Sequence, residues 1–495
     1  MPLDEQRVRE LLEGVFTRQE MEEACERRDL GAVIRVLNKY GISQGNISVL
    51  TGIAQGRLSE HKNGRRIPTA KSTFEAMAEG LGMPAHLRRA LGLAPVTESN
   101  WIDHATREKG VSPDVATSQG EWLHTRGLLN EHRSELTRLA TELYPSNIRL
   151  GRTGILTPHE WRLESPIELG AIKLTLNDVS PPLSVTGKHE ETRPLRPLAS
   201  PGKHYESYHR AMRDLASPRL FENRVCYRLL GFEQSEGEGQ LTLGFMRYFD
   251  MIDVGETLAH ELAQAAISHD GEVRPHRAAW SNLPFRRLVR DPFALQTYPL
   301  LLSISTLTIR QSKAGATFIM LRRGVERVAI AGGMLSVMPT GVFQPASILP
   351  ADPHQDLNMW NNMMREYSEE FLGNPEHDGS GDPIDYERQE PFRSLNAGRD
   401  AGKIRTLVLG VGIDALNMVG DVFTVAVFDA DVFDEIFRDL VENNDEGSVA
   451  SPGSNREHFS FNESTIRHLL ESEPIAPSGA ACLKMAWKHH SAVLD

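Results

Sequence analysis

Apolar positions in the first hundred residues repeat with the period of an α-helix. The stripe of the first predicted helix recurs at i, i+3, i+4 and i+7 and consists of Leu30, Val33, Ile34 and Leu37. Ser43 then stands where the N-cap of a short second helix belongs, and Ile47 and Leu50 supply its inner face. Gly52 ends that helix because glycine leaves the right-handed helical region at little steric cost. A third helix follows at once, with Leu58 on its inner side.

The outer face of the third helix, residues 54–62, is polar and basic. Gln and Arg carry forked donors and acceptors that match adenine and guanine edges in the major groove, and the N-terminal end of such a helix reaches them. The residues predicted to read bases are Gln55, Arg57 and Ser59. Those predicted to hold phosphates are Gln44, Lys62, Arg65 and Arg66. The predicted partner is therefore double-stranded DNA, and the alternative is an ordinary helical bundle with a basic loop.

These residues resemble the Cro/C1 (XRE) helix-turn-helix family, in which a Gln opens helix two, a Gly makes the turn and an Asn-Gly-Lys/Arg run with a later Pro closes helix three. The matching positions are Gln44, Gly52, Asn63-Gly64-Arg65 and Pro68. The resemblance covers residues 29–92 and implies an all-α DNA-binding domain of a transcription regulator. Gly45 and Gly56 depart from a good helix sequence, since each costs about 0.5–1 kcal/mol relative to Ala. We therefore expect tight binding to need a homodimer.

Beyond residue 95 the pattern changes from helical to mixed. Residues 121–144 carry leucines at helical spacing and are interpreted as part of a connector. Ile172, Leu174 and Leu176 alternate with polar residues, which predicts a strand, and from about residue 300 short β-branched runs bounded by Gly, Lys or Pro predict several more. The expected segments are a helix-turn-helix domain at 1–95, a helical connector at 96–150, an α+β region at 151–299 and a strand-rich domain at 300–495.

Composition and charge narrow the class of protein. With 495 residues, 40% of them hydrophobic and 24% charged, the chain is expected to fold into several soluble domains. No apolar run is long enough for a membrane span, and the N-terminus lacks a signal-peptide pattern, so we expect a cytoplasmic protein without a membrane partner. The net charge of −13 divides into +2 for residues 1–95 and −15 for the remainder. DNA should therefore be bound through one small face, in a salt-sensitive manner.

A second group of candidate residues lies on one predicted helix of the strand-rich domain. The apolar side of this helix consists of Trp360, Met363, Met364, Tyr367 and Phe371. On another face the helix carries Glu366, Glu369 and Glu370, preceded by Arg365. Three carboxylates within reach of one another could hold Mg²⁺ or Mn²⁺ against a diphosphate. A solvated acidic helix face is the alternative interpretation.

The string from Arg365 to Gly373, REYSEEFLG, resembles the second half of the Nudix box. In that family the Arg orients the carboxylates, the Glu residues bind metal and the fold is an α/β/α sandwich. The family's upstream Gly and Glu are replaced here by Ala351 and Leu357, although Asp356 could partly replace Leu357. The resemblance covers about residues 300–490 and implies a domain that binds a nucleotide-like or phosphorylated ligand, with catalysis weakened or lost.

A weaker candidate is His260-Glu261, which begins an incomplete HExxH zinc motif and is interpreted as a helix surface. These observations together predict a multidomain protein with an all-α helix-turn-helix domain, an α+β middle region and a C-terminal Nudix-like α/β/α sandwich. Its expected function is transcription regulation controlled by a small ligand. The alternatives are an active Mg²⁺-dependent Nudix-type hydrolase tethered to DNA, and a protein-interaction scaffold whose helix-turn-helix binds no DNA.

Overall fold

The chain divides into two compact units, residues 1–107 and residues 108–495. The computed structural model describes residues 11–93, apart from 13, 52, 54 and 64–70. It also describes residues 112–495, apart from 219–220, 269, 324–333, 347–353, 355, 376–383, 439, 441–446 and 451–458.

The described part of the first unit is all-α. Its main helices are α1 Gln19–Glu26, α2 Leu30–Lys39, α3 Gln44–Thr51, α4 Gln55–Lys62, α5 Lys71–Gly80 and α6 Ala85–Ala90. The Asp29 carboxylate caps α2 by accepting the Ala32 N–H at 2.9 Å. The Ser43 hydroxyl accepts the Asn46 N–H at 3.2 Å at the start of α3, which is the N-cap contact that the sequence predicts.

The core of the first unit lies between these helices. The predicted stripe is buried, together with Ile47 and Leu58. Two glycines permit close approach of neighbouring helices: a Cβ on Gly31 would lie 2.5 Å from the carbonyl oxygen of His61, and one on Gly80 would lie 2.2 Å from that of Leu50. Helix α2 therefore packs closely against α4, and α5 against α3. The assignment of α3 and α4 to a helix-turn-helix stays a prediction.

An eight-stranded mixed sheet forms the centre of the second unit. Strands β8 Leu302–Ser312 and β14 Gly420–Asp429 are parallel neighbours, and β13 Ile404–Asp414 runs antiparallel to β14. The other strands are β1 Ile155–Leu156 and β2 Ile167–Glu168 beside β13, β9 Gly315–Phe318 and β12 Thr340–Val342 beside β8, and β16 Phe459–Ser460 beside β9. All residues of β14 before Asp429 are buried, so protein covers both faces of this strand.

Smaller sheets and helices surround the large sheet. The remaining strands are β3 Ile172–Leu176, β4 Leu198–Ser200, β5 Lys203–His204, β6 Val225–Ser235, β7 Glu238–Arg247, β10 Met320–Arg323, β11 Leu335–Val337 and β15 Gly447–Ala450. The α-helices are α7 Pro113–Glu131, α8 Arg133–Glu142, α9 Tyr208–Leu215, α10 Tyr248–Met251, α11 Thr257–Ala266, α12 Met359–Glu366, α13 Phe392–Asp400, α14 Ala430–Ile436, α15 Glu463–Ser472, α16 Pro477–Lys488 and α17 His490–Leu494. Within the described ranges, no helix has the length and apolar character needed to cross a bilayer.

The main core of the second unit spans three of the predicted segments. Leu129 and Leu139 from α7 and α8 share one buried cluster with Leu241 of β7 and Val408 of β13. Strands β1 and β2, from the predicted α+β region, pair with β13. The helices predicted as a connector thus belong to this core, and the two compact units do not divide near residue 300. Local patterns could not indicate this because the pairing strands lie far apart along the chain.

Candidate functional site

Helix α12 and the turn that follows it carry the acidic residues, and their apolar side is buried as predicted. The Asn358 side chain caps the helix by accepting the Asn361 N–H at 3.1 Å. The predicted apolar residues Trp360, Met363, Met364, Tyr367 and Phe371 are all buried. After Glu366 the helix widens into a π-helical turn over Tyr367–Phe371. The hydroxyls of Tyr367 and Thr308 lie 2.8 Å apart, which ties this turn to β8.

The three glutamates do not share one solvated face. Glu370 is only 2% exposed, and its Oε1 accepts the backbone N–H of Thr340 at 3.1 Å. Glu366 and Glu369 are half-buried. The Glu366 carboxylate lies against Gly341, where an added Cβ would come 1.9 Å from its Oε1. Glu366 and Glu370 therefore both lie against β12, at the neighbouring residues Gly341 and Thr340.

Strand β12 is thus a part of the site that sequence reasoning missed. Its Thr340 N–H and the space above Gly341 receive two of the three predicted carboxylates. Only glycine leaves room for the Glu366 carboxylate at that position without a rearrangement. The available signal was a single glycine in a short strand, which by itself does not identify a site.

Arg365 is 4% exposed, and its guanidinium is held by groups other than the glutamates. It donates to the Tyr386 hydroxyl and to the Gln344 carbonyl, each at 2.7 Å, and to Asn362 Oδ1 at 3.0 Å. The nearest Asp356 oxygen lies 3.9 Å away. Asp356 therefore lies beside the predicted orienting arginine. The role of Arg365 in orienting the glutamates stays a prediction.

The metal prediction concerns Mg²⁺ or Mn²⁺ on these carboxylates. Across the described residues, no group of three or more His, Cys, Asp or Glu side chains is arranged to hold a metal ion. The role of Glu366, Glu369 and Glu370 as metal ligands stays a prediction. Two of these carboxylates face β12.

The predicted DNA-contacting residues lie on α3 and α4 and at the end of α4. Arg57 is exposed, whereas Gln44, Ser59 and Lys62 are half-buried. Lys62 donates from Nζ to Asn38 Oδ1 at 2.7 Å. The side chain of Gln55 and the whole of Arg65 and Arg66 lie outside the described residues.

The His260-Glu261 pair is buried, so its interpretation as a helix surface is wrong. Each residue is 3% exposed. The Glu261 carboxylate accepts the backbone N–H groups of Phe285 and Arg286 at 2.6 and 2.8 Å. His260 Nδ1 lies 3.0 Å from the Tyr208 hydroxyl. Burial, followed by the nearby Arg126, lowers the pKa of His260 to about 3, so this imidazole is neutral at physiological pH.

A buried ion triad lies beside this histidine. Glu256 has a fully buried side chain, and its carboxylate lies 3.1 Å from Arg126 Nη1 and 3.1 Å from Arg133 Nη2. Arg126 also donates to the Tyr208 hydroxyl at 2.9 Å. Glu256 closes a second π-helical turn, Ile252–Glu256, which leads into α11. Sequence spacing gave no signal for this triad, because Glu256 lies more than a hundred residues from the two arginines along the chain.

Comparisons with known proteins give little information about this site. No protein-family model matches the chain, and no curated protein matches it. Among solved structures, a NUDIX hydrolase from Alicyclobacillus acidocaldarius aligns with 37% of this chain and 90% of its own, at 14% sequence identity and a TM-score of 0.22. A TM-score this low carries no argument about fold or activity. The Nudix-like assignment therefore stays a prediction.

Proposed function

We propose that the chain is a DNA-binding regulator. Its first unit would contact double-stranded DNA, and its second unit would bind a small ligand beside α12. The observation that supports this proposal is that α4 has one buried side and one exposed side. Leu58 and His61 are buried at 0% and 5% exposure, whereas Arg57 and Glu60 are exposed. An exposed arginine near the start of such a helix has the position from which recognition helices reach base edges.

The charge distribution supports the same proposal. Residues 1–95 carry +2 and the remainder carries −15, so the phosphate backbone is attracted to residues 1–95 rather than to the rest of the chain. A surface with few cations makes few phosphate contacts and is sensitive to salt. Two copies of the first unit in a homodimer would double those contacts.

The residues of α4 would contribute in different ways. Arg57 would read a base edge directly, because its side chain is free of the core. Lys62 would hold a phosphate, and to do so its ammonium would exchange Asn38 Oδ1 for a phosphate oxygen. Loss of a base contact should lower specificity, whereas loss of a phosphate contact should weaken binding to every sequence alike.

The ligand part of the proposal rests on the half-buried Glu366 and Glu369. Their carboxylates accept hydrogen bonds, so they suit the hydroxyl and amino groups of a nucleoside-like molecule. Binding there would change DNA occupancy only if the ligand prefers one arrangement of the protein over another. This condition links ligand affinity to DNA affinity in both directions.

Fluorescence anisotropy of the full chain on genomic fragments, recovered by mapping bound DNA, tests the DNA part. Arg57→Ala should weaken binding to the recovered site by about 5- to 150-fold, corresponding to about 1–3 kcal/mol for one base contact, and leave binding to random DNA nearly unchanged. Arg27→Ala, an exposed arginine of the same unit outside α4, is the matched control. Equal losses on specific and random DNA for Arg57→Ala would contradict base reading, and failure to retard any fragment at low salt would favour the scaffold alternative.

The ligand part is tested by calorimetric titration of nucleosides and nucleotides into wild type and Glu369→Gln. We expect heat of binding that the substitution reduces. Phosphate release from a panel of nucleoside diphosphate derivatives, with Mg²⁺ present, is measured on the same proteins. Turnover by wild type that disappears in Glu369→Gln would show that the second unit is a hydrolase rather than a ligand sensor.

A further inference from the structure

A serine, a histidine and an aspartate are hydrogen-bonded in series where α9 begins. Ser207 Oγ lies 3.3 Å from His209 Nε2, and His209 Nδ1 lies 2.8 Å from Asp253 Oδ2. The Asp253 side chain is only 6% exposed, and its Oδ1 also accepts the backbone N–H of His209 at 2.8 Å. With its proton on Nδ1, the imidazole donates to Asp253 and presents the Nε2 lone pair to the serine hydroxyl.

From this arrangement we propose that Ser207, His209 and Asp253 form a triad for acyl transfer, a site separate from both parts of the proposed function. Ser207 is the nucleophile and His209 its general base. Asp253 is a positioning residue that fixes the tautomer and orientation of the imidazole. The contact of 3.3 Å between nucleophile and base is within the range seen before substrate binds.

The local structure explains why the hydroxyl is available to His209. Ser207 is the N-cap residue of α9, with φ −147° and ψ 158°, and its side chain makes no capping hydrogen bond. A serine at an N-cap ordinarily accepts a first-turn N–H. Here the Asp253 carboxylate accepts that N–H instead, so the serine hydroxyl is left to the imidazole.

The position of Asp253 is fixed from two sides. It belongs to the π-helical turn Ile252–Glu256, a type of turn that is frequent at functional sites. Gly187 packs directly on its backbone, where an added Cβ would come 2.2 Å from the Asp253 carbonyl oxygen. The orienting carboxylate is thus rigidly placed, which general-base catalysis requires.

The first turn of α9 also supplies donors for a developing oxyanion. The N–H groups of Tyr208 and Arg210 have no acceptor inside the helix, because the first four N–H groups of any helix lack one. Tyr208 directly follows the nucleophile, which is the chain position that supplies a backbone oxyanion donor in serine hydrolases. Backbone donors in such positions stabilise the negative charge of a tetrahedral intermediate.

Aromatic rings beside the imidazole indicate the substrate class. The Phe249 ring stacks on His209 with centroids 4.7 Å apart, and Phe221 packs on Phe249 at 4.6 Å. Both phenylalanines are half-buried and so offer apolar surface to an acyl group. The substrate is therefore a carboxylic ester with an apolar acyl chain.

The reaction proceeds in two balanced steps. Ser207 Oγ attacks the ester carbonyl while its proton passes to His209 Nε2, and collapse of the tetrahedral intermediate breaks the bond to the leaving alcohol, which takes that proton. Water then attacks the acyl-serine by the same route. The carboxylic acid is released and the proton returns to Ser207.

An alkyl fluorophosphonate tests this site directly on the full-length protein, because it phosphonylates an activated serine and releases fluoride. We expect one adduct, located on Ser207 by peptide mass mapping. Labelling and hydrolysis of p-nitrophenyl hexanoate should fall at least 100-fold in Ser207→Ala and His209→Gln. Ser217→Ala, a nearby half-buried serine, should label as wild type does.

Positioning by Asp253 is tested by comparing Asp253→Asn with Asp253→Glu. Asp253→Asn should lower kcat while leaving KM within twofold, and Asp253→Glu should recover part of kcat. Circular dichroism shows whether each variant is folded. Peptide mass mapping of the adduct on wild type tests the nucleophile without depending on any variant. No adduct on folded wild type, an adduct on another serine, or labelling that persists in Ser207→Ala would overturn the proposal.

Discussion

Removing the charge of Glu256 should destabilise the second unit more than any surface substitution. The Glu256 side chain is fully buried between the guanidinium groups of Arg126 and Arg133. In Glu256→Gln the amide keeps the shape of the side chain but no longer neutralises either arginine. Both guanidinium groups then remain buried without their counterion.

The expected magnitude follows from burial. Removing one partner of a buried ion pair costs about 3–5 kcal/mol, because a desolvated charge is left uncompensated. Unfolding entropy is about 2.1 cal/mol/K per residue, so for residues 108–495 it is about 0.8 kcal/mol/K. The melting temperature of this unit should therefore fall by about 4–6 °C.

Differential scanning calorimetry of the full chain at a fixed scan rate measures this shift. The matched control is Glu142→Gln, which breaks an exposed pair with Arg138 at 2.7 Å. Exposed pairs of this spacing contribute about 0.3–0.5 kcal/mol, so the control should move the melting temperature by less than about 1 °C. Equal shifts for Glu256→Gln and Glu142→Gln would refute the reasoning.

A triple variant separates uncompensated charge from lost packing. Replacing Arg126, Arg133 and Glu256 together by Met removes all three charges and retains apolar volume. Such replacements are often neutral or stabilising, so the triple variant should melt above Glu256→Gln. A triple variant that melts below it would show that the hydrogen bonds of the triad, including the one to Tyr208, matter more than its charges.

Two further predictions concern a titrating carboxyl and a pair of glycines. Burial raises the pKa of Asp414 from 3.8 to about 6, so wild type loses stability as pH rises from about 4 to 6. The variant Asp414→Asn should therefore have a higher melting temperature than wild type at pH 8 and the same melting temperature at pH 4. A difference in melting temperature that does not change with pH would contradict this. Gly127→Ala, in open space within α7, should stabilise the second unit by about 0.5–1 kcal/mol. Gly80→Ala should destabilise the first unit in the same melting experiment, because the Cβ would lie 2.2 Å from the Leu50 carbonyl oxygen; the same sign for both variants would exclude this explanation.

The sequence predicted best those elements whose burial follows a local period. The stripe from Leu30 to Leu37 and the apolar side of α12 are buried as the spacing indicates. Strand β3 forms at the predicted residues, Ile172 to Leu176, with Ile172 buried and Lys173 exposed. In each case one side of an element faces a core, so a short window of sequence contains the whole signal.

The sequence pattern did not predict the surroundings of elements that are buried on all sides. His260 and Glu261 lie on α11, of which eight of ten residues are buried, so no polar face marked its surface. Their polar atoms are satisfied by Tyr208, Phe285 and Arg286, partners that no helical spacing predicts. Polar residues in such a helix indicate internal hydrogen bonds, and only the fold shows where these lead.

The candidate sites were predictable only in part, for a related reason. The position of Glu370 depends on a π-helical turn, which adds one residue to a helix without a sequence signature. Ser207 and His209 are adjacent to Asp253 in space but separated from it along the chain by a strand hairpin, β6 and β7. Neither arrangement has a spacing that could be searched for.

The parallel pairing of β8 with β14 has a consequence for synthesis of the protein. Strand β8 begins at Leu302, and its central partner β14 ends at Asp429. At about 5–20 residues per second, the ribosome needs between about 6 and 25 s to deliver that partner. Throughout this interval the eight buried residues at the start of β8 lack their pairing with β14, so they can contact chaperones or other nascent chains. The first unit, in contrast, needs only contacts within its own 107 residues. Yield of the full chain in cells should therefore depend on chaperone supply far more than yield of its first 107 residues.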